Sequence, residues 1–165
     1  MNHRTLCVCM FVALAVAMAS AQTKTTMSGK CGKPDVMHSL PAGDPQGRTF
    51  TLSQGKCTAV GDVGGVAGKD GTFTEHAEVT GTHFRNWGVY VESFANGDKV
   101  FYDYQSVGTM KDGAFQSATN KYQISGGTGK MKSIKGSGTC KLTGSSDGGT
   151  DYSCSGTYTL AGAAK

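Results

Sequence analysis

Three acidic residues between positions 73 and 104 are the side chains best placed to do chemistry: Glu75, Glu92 and Asp103. Glu75 and Glu92 each alternate with apolar or aromatic residues, so an inward-facing strand would place each carboxyl group in apolar surroundings. Burial of this kind raises the pKa of a carboxyl group and makes it a candidate general acid or base. The opposing interpretation is a half-exposed strand face, or an acid paired with Arg85 or a lysine. Asp103 lies between two tyrosines, on the opposite face from both, and is the third candidate.

Aromatic residues are concentrated in the same part of the chain, at Trp87, Tyr90, Tyr102 and Tyr104. In a small β-barrel such side chains usually fill the interior. They also suit the wall of a pocket for a planar or lipid-like ligand. The sequence leaves both interpretations open, and these four residues are candidate ligand contacts.

Residue spacing disfavours other kinds of site. His76 and Glu78 would share one strand face, but no third ligand is spaced to join them, so we expect no metal site. A phosphate-binding loop around Gly129 and Lys130 is excluded, because Met131 stands where such a loop needs serine or threonine. The sequence has no nucleophile elbow of the serine hydrolase type. We therefore expect no cofactor.

The first 21 residues have the pattern of a secretory signal peptide. Arg4 supplies positive charge, residues 6–17 are apolar, and Ala19-Ser20-Ala21 forms a small-residue cleavage box. The apolar run is shorter than the ~20 residues that a spanning helix needs. We expect a secreted or periplasmic protein with no membrane span after cleavage.

Four cysteines follow position 21, at Cys31, Cys57, Cys140 and Cys154. An even number in an exported chain indicates two disulfides, for which three pairings exist. The spacing favours Cys31–Cys57 and Cys140–Cys154, and the second pair would flank a hairpin with its turn at residues 145–149. A zinc site made of the four thiolates is disfavoured, because no C-x2-C pair is present.

The charge balance is mild. Sixteen Lys and Arg against twelve Asp and Glu give a formal net charge of +4. Lysines gather only between residues 130 and 141, which falls short of the basic stripe of a nucleic-acid-binding protein. We expect no nucleic-acid partner; a small apolar ligand and a second copy of the chain are the partners considered.

The elements that must position the candidate residues are β-strands. From residue 48 onward, alternating apolar and polar residues are separated by turn signals such as Asn96-Gly97 and Asp112-Gly113. The 25 glycines are about twice the usual share and disfavour helices. The pattern predicts an all-β fold, a single closed antiparallel barrel of about eight strands.

Two stretches lack a clear strand pattern. Residues 22–47 hold all three prolines, and the sequence predicts an irregular N-terminal arm there, tied down by Cys31. Residues 61–71 carry five glycines and are predicted to form a loop. The barrel domain is accordingly predicted over residues 48–165, with one helical turn around residues 130–134.

Residues 124–136, ISGGTGKMKSIKG, resemble the GGTGxFxGaxG signature near the end of the allene oxide cyclase and dirigent β-barrels. Met131 and Ser133 depart from the usual aromatic residue and glycine of that signature. The preceding hairpins are similar in placement, and the whole chain is similar to secreted bacterial proteins of this type. The resemblance implies an eight-stranded barrel with an apolar pocket, in a superfamily that includes cyclases and coupling guides. It transfers no catalytic residue, because the motif is architectural.

Three functions are consistent with these features. The first is a barrel that binds a small apolar or aromatic molecule without chemistry. The second is a cofactor-free cyclase or isomerase of the allene oxide cyclase type, in which a buried acid polarises the substrate. The third is a structural or surface-interaction domain with a filled barrel. The direction of the three acids and the space inside the barrel distinguish them.

Overall fold

The computed structural model describes residues 22–160, which form ten antiparallel strands and one short 3-10 turn. The strands are β1 (Thr23–Cys31), β2 (Val36–Pro41), β3 (Thr49–Val60), β4 (Asp62–Val63), β5 (Val66–Thr80), β6 (His83–Phe94), β7 (Lys99–Lys111), β8 (Ala114–Gly127), β9 (Lys135–Gly144) and β10 (Thr150–Thr159), with the 3-10 turn at Gly129–Met131. The predicted signal peptide, residues 1–21, lies outside the described residues. Within residues 22–160, no helix has the length and apolar character to cross a bilayer.

Eight of the strands form a closed antiparallel ring. Around the ring they follow the order β3-β1-β10-β9-β8-β7-β6-β5. Strand β5 returns to β3 through a ladder that runs from Thr49 opposite Val79 to Thr58 opposite Asp70. The short strands β2 and β4 are additions beside β3 and β5. The predicted all-β closed barrel of about eight strands is confirmed.

The N-terminal segment departs from the sequence prediction. The pattern predicts an irregular arm over residues 22–47, whereas β1 is a full member of the ring, paired with β10 and β3. The inward positions of β1 are Thr25, Met27, Gly29 and Cys31, and only Met27 and Cys31 are apolar. Gly29 has no side chain because the ring of Tyr152 on β10 occupies that space. Thr25 and Gly29 therefore interrupt the apolar alternation by which a strand is detected in a sequence.

The predicted loop over residues 61–71 is also wrong. Strand β4 and the start of β5 make a tight hairpin there, with Asp62 opposite Ala67. Gly64 and Gly65 form its turn, and both have positive φ, 61° and 75°, a conformation that glycine adopts without strain. The glycines of this stretch mark a turn between strands instead of a long loop.

Both disulfides join residues that lie directly opposite each other on neighbouring strands. Cys31 on β1 is bonded to Cys57 on β3, and Cys140 on β9 is bonded to Cys154 on β10. The favoured pairing is confirmed. The first disulfide ties β1 into the ring, as expected for the N-terminal segment, and the second closes the β9–β10 hairpin.

One end of the barrel is filled. The 3-10 turn that follows β8 folds across this end and places Met131 and Ile134 inside, at 1% and 2% exposure. They pack with Val63, Phe94 and Val100 in a single apolar cluster. We refer to these five residues as the plug. The plug closes the barrel end that is formed by the β6–β7 hairpin and the N-terminus of β9.

Away from the plug, tyrosine side chains lie flat over glycines of the neighbouring strand. A Cβ atom placed on Gly71 would lie 2.5 Å from Cε2 of Tyr90, and one placed on Gly88 would lie 2.6 Å from Cζ of Tyr104. Real Cβ atoms do not approach other atoms so closely, so only glycine fits beneath these rings. The rings are therefore held against the barrel wall and leave space in the lumen.

Candidate functional site

The lumen beyond the plug contains a cavity of about 340 Å³. Its volume lies near the lower end of the roughly 300–1,000 Å³ found for small-molecule pockets. Most of its wall is apolar, with Phe73, Val79, Phe84, Phe115 and Leu142 among the contributing residues. Met37, which is 62% exposed and also lines the cavity, marks the side on which the cavity meets solvent.

Glu75 points into this cavity from β5. Its Oε2 atom accepts two short hydrogen bonds, from Nδ2 of Asn86 at 2.7 Å and from the hydroxyl of Tyr104 at 2.7 Å. Its Oε1 atom accepts one longer bond, from the hydroxyl of Ser53 at 3.4 Å. Asn86, Tyr104 and Ser53 all act as donors to this carboxyl group, and Oε1 keeps room for a further donor.

Burial raises the pKa of Glu75 above its ordinary value, and the hydrogen bonds from Tyr104 and Ser53 act in the opposite direction. Burial also raises the pKa of Tyr104, as does the neighbouring Glu75. Tyr104 therefore stays protonated and donates, whereas Glu75 is a carboxyl group that can exchange a proton inside an apolar cavity. This is the chemical character of a general acid or base.

Three polar side chains form a row in the cavity wall, one on each of β6, β7 and β8. Asn86 lies opposite Ser106, and Ser106 lies opposite Asn120. Nδ2 of Asn120 donates to the hydroxyl of Ser106 at 3.1 Å. Both asparagines are 8% exposed, and their Oδ1 atoms have no hydrogen-bond partner among the described residues. Buried acceptors of this kind are normally satisfied, so both are available to a bound molecule.

The sequence prediction missed these amides. The signal was present, since Asn86 alternates in step with Tyr90 and Glu92, and Asn120 alternates in step with Tyr122. An inward asparagine between inward aromatic residues is the pattern that could have identified them.

Three of the four candidate aromatic residues line the cavity: Tyr90, Tyr102 and Tyr104. Tyr90 and Tyr102 contact each other with ring centroids 5.8 Å apart. Trp87 does not share this placement. It lies on the outer face of β6, where it stacks on His76 at 5.1 Å between ring centroids. Its odd position in the alternation turns it away from the tyrosines.

Glu92 also faces the interior, but it lies at the plug end and is only 3% exposed. The hydroxyl of Tyr102 donates to its Oε2 atom at 2.7 Å. Burial raises the pKa of Glu92, and the bond from Tyr102 opposes that shift. Tyr102 lines the cavity, but its partner Glu92 does not. Of the two interior acids, only Glu75 therefore reaches the space that a ligand could occupy.

Asp103 is not part of the site. It is exposed on the outer face of β7, where it lies opposite Val89 and Gln123. Because strand residues alternate between faces, the inward placement of Tyr102 and Tyr104 forces Asp103 outward. The structure therefore does not bring Asp103 to the cavity that Glu75 lines.

Among the described residues, no group of three or more His, Cys, Asp or Glu side chains is placed to hold a metal ion. The cavity wall itself has one carboxyl group, several hydroxyl and amide groups, and no lysine, arginine or histidine among residues 22–160. The arrangement can enclose a largely apolar molecule, accept hydrogen bonds from it and exchange one proton with it.

Comparison with known proteins adds little to this geometry. No family model matches the chain, and no curated protein matches it. Among solved structures, the chain is similar to the pterocarpan synthase dirigent protein GePTS1, with 12% sequence identity, a TM-score of 0.43, and 85% of this chain and 90% of that chain covered.

Proposed function

We propose that this chain is a secreted β-barrel protein that binds a small, largely apolar or aromatic molecule in its lumen. The observation that carries the proposal is the cavity of about 340 Å³, with an apolar wall and two buried amide oxygens that lack partners. An apolar enclosure with a few convergent polar groups is the usual form of a small-molecule site.

The two disulfides support secretion, since disulfides persist mainly in oxidising compartments. The signal-peptide pattern of residues 1–21 leads to the same conclusion. The cavity disfavours the alternative of a filled structural barrel, because a barrel selected only for stability gains from closing such a space.

Thermal-shift measurements with neutral fatty alcohols, phenols and terpenoids test the proposal. A ligand present at 100 times its Kd should stabilise the protein by about 2.7 kcal/mol and raise its Tm. A cavity-filling variant, Ala118→Phe, should lose this shift, because Ala118 is buried in the cavity wall. The matched control is Thr119→Phe, whose side chain is exposed on the same strand. Absence of a shift with every compound would remove the proposal.

A second candidate function is supported by Glu75. A carboxyl group with a raised pKa in an apolar cavity, beside the hydroxyl of Tyr104, suits a cofactor-free cyclase or isomerase. Incubation with an unsaturated fatty-acid epoxide, followed by chiral chromatography of the products, tests this function. Enzyme-dependent ring closure that is lost in Glu75→Gln would support it, and turnover equal to the buffer rate would exclude it for this substrate.

A further inference from the structure

Three buried polar atoms of the cavity wall lack partners among the described residues: two amide oxygens, which can only accept, and the hydroxyl of Tyr90, which can donate or accept. Oε1 of Glu75 accepts one long bond, and Oδ1 of Asn86 and of Asn120 accept none among the described residues. When Glu75 is ionised the Asn86 amide has one orientation, with Nδ2 donating to Glu75, because a carboxylate can only accept. A ligand that satisfies these atoms must bring hydrogen-bond donors.

The contacts of Glu75 suit its ionised form. Asn86, Tyr104 and Ser53 are all placed to donate to it, and a carboxylate accepts from all three at once, whereas a protonated acid would turn one of the two hydroxyl groups into an acceptor. The cavity wall has no lysine, arginine or histidine among residues 22–160, and His76, which acts electrostatically on Glu75, is exposed and stacks on Trp87 outside the cavity. An ionised carboxyl group in an apolar cavity without a cation beside it is costly, and a positive charge brought by a ligand would offset the cost.

Aromatic rings surround the same space. Tyr90, Tyr102 and Tyr104 line the cavity, and the faces of such rings attract cations. Tyrosine rings also contact the apolar body of a ligand. A carboxylate, two unpartnered amide oxygens and a tyrosine wall together form a site with negative potential and apolar surroundings.

We propose that the lumen binds a protonated organic amine with an aromatic or aliphatic body, its ammonium group on Oε1 of Glu75 and Oδ1 of Asn86. This inference rests on the proposed function, because it names the ligand class of the same cavity. Asn120 lies two strands from Asn86, about 10 Å along the sheet, so it would accept from a second donor of the ligand, such as a hydroxyl group.

The test compares three probes of nearly equal shape: 2-phenylethylamine, 2-phenylethanol and 3-phenylpropanoate. Calorimetry at about pH 8 and constant ionic strength keeps the amine protonated, since an alkyl ammonium group titrates near pH 10. The amine should bind about tenfold more tightly than the alcohol, as expected for hydrogen bonds to a charged group, and the carboxylate should bind most weakly.

Two variants locate the charge that is responsible. Glu75→Gln should lower the ratio of amine affinity to alcohol affinity from about tenfold to about one. Glu92→Gln is the matched control, because Glu92 is a buried acid that does not line the cavity, and it should keep the preference. The ranking of the three probes on the unaltered protein needs no variant, so the proposal stays testable if either variant fails to fold.

The outcomes separate this inference from the proposed function. An alcohol that binds as tightly as the amine, or a carboxylate that binds best, overturns the amine proposal and leaves a ligand-binding cavity. An amine preference that persists in Glu75→Gln overturns it as well, because the cation is then held elsewhere. If neither these probes nor the neutral panel binds, the proposed function itself fails.

Discussion

Replacing Gly138 with alanine should destabilise the barrel, and the structure gives the reason and the size of the effect. Gly138 lies on β9 opposite Tyr122 of β8 and Gly156 of β10. A Cβ atom at this position would lie 2.6 Å from Cζ of Tyr122, and closer still to the backbone carbonyl oxygen of Ser155. The tyrosine could tilt away, but the carbonyl oxygen belongs to a paired strand and cannot move without disturbing the ladder.

Forcing an extra carbon into a packed interior costs about 1–3 kcal/mol. We expect the upper part of that range for Gly138→Ala, because backbone is involved. For a domain of this size, such a loss lowers Tm by about 6 to 12 °C. The matched control is Gly126→Ala on β8, where the new Cβ atom would meet Cδ2 of Phe101 at an ordinary 3.8 Å. That change should be neutral, or stabilise slightly by restricting the unfolded chain.

Urea denaturation and calorimetry of the two variants make the comparison. A Tm for Gly138→Ala within about 1 °C of the unaltered protein, with Gly126→Ala also unchanged, would show that close approach is not why position 138 is glycine. A large loss in both variants would contradict the reasoning too, since it would point to a general sensitivity of glycines in strands.

Three further outcomes are expected. Burial raises the folded-state pKa of Glu75 and Glu92, so the folded protein binds protons more tightly than the unfolded chain. The free energy of unfolding should therefore fall as pH rises from about 4.5 through the raised pKa values. Denaturation at a series of pH values should show a flatter profile for the Glu75→Gln, Glu92→Gln double variant. Tyr102→Phe removes the 2.7 Å bond to Glu92 and should cost about 1.5–3 kcal/mol by urea denaturation, with an unchanged midpoint refuting the contribution of that bond. Replacing Cys140 and Cys154 with serine opens a loop with a sequence separation of 14 and should lower the free energy of unfolding by about 3 kcal/mol relative to the oxidised unaltered protein. Urea denaturation without reductant measures this loss, and an unchanged free energy would contradict the expectation.

The strand pattern of this sequence carries information about faces, and it was sufficient to place several side chains. Glu75 alternates with Phe73 and Val79, and all three line the lumen. The same rule puts Asp103 and Trp87 outside, because each is out of step with the inward tyrosines. The alternation alone therefore predicts that neither Asp103 nor Trp87 faces the lumen.

Other features could not be predicted from alternation. The inward glycine of β1, Gly29, is covered by the ring of Tyr152 on β10. Because Tyr152 is far from Gly29 in the sequence, the local pattern around Gly29 does not predict an inward-facing strand position. At Asn96-Gly97, only Gly97 has positive φ, 85°, and the side chain of Asn96 accepts a bond from the backbone of Asp98; the turn is therefore not the one with two positive φ values that the dipeptide predicts. Whether the barrel is filled or hollow depends on summed side-chain volumes, which alternation leaves open.

The glycines explain how one ring of strands is filled at one end and hollow at the other. At the plug, Met131 and Ile134 project into the lumen and pack against Phe94. Further along the barrel, Tyr90 and Tyr104 have glycines beneath them and lie against the wall. A side chain larger than hydrogen beneath each ring would push it inward, into the space beside the carboxyl group on β5. The high glycine content that suggests loops in the sequence thus maintains the cavity, and the cavity makes Glu75, the one acid among residues 22–160 that lines it, available to a ligand.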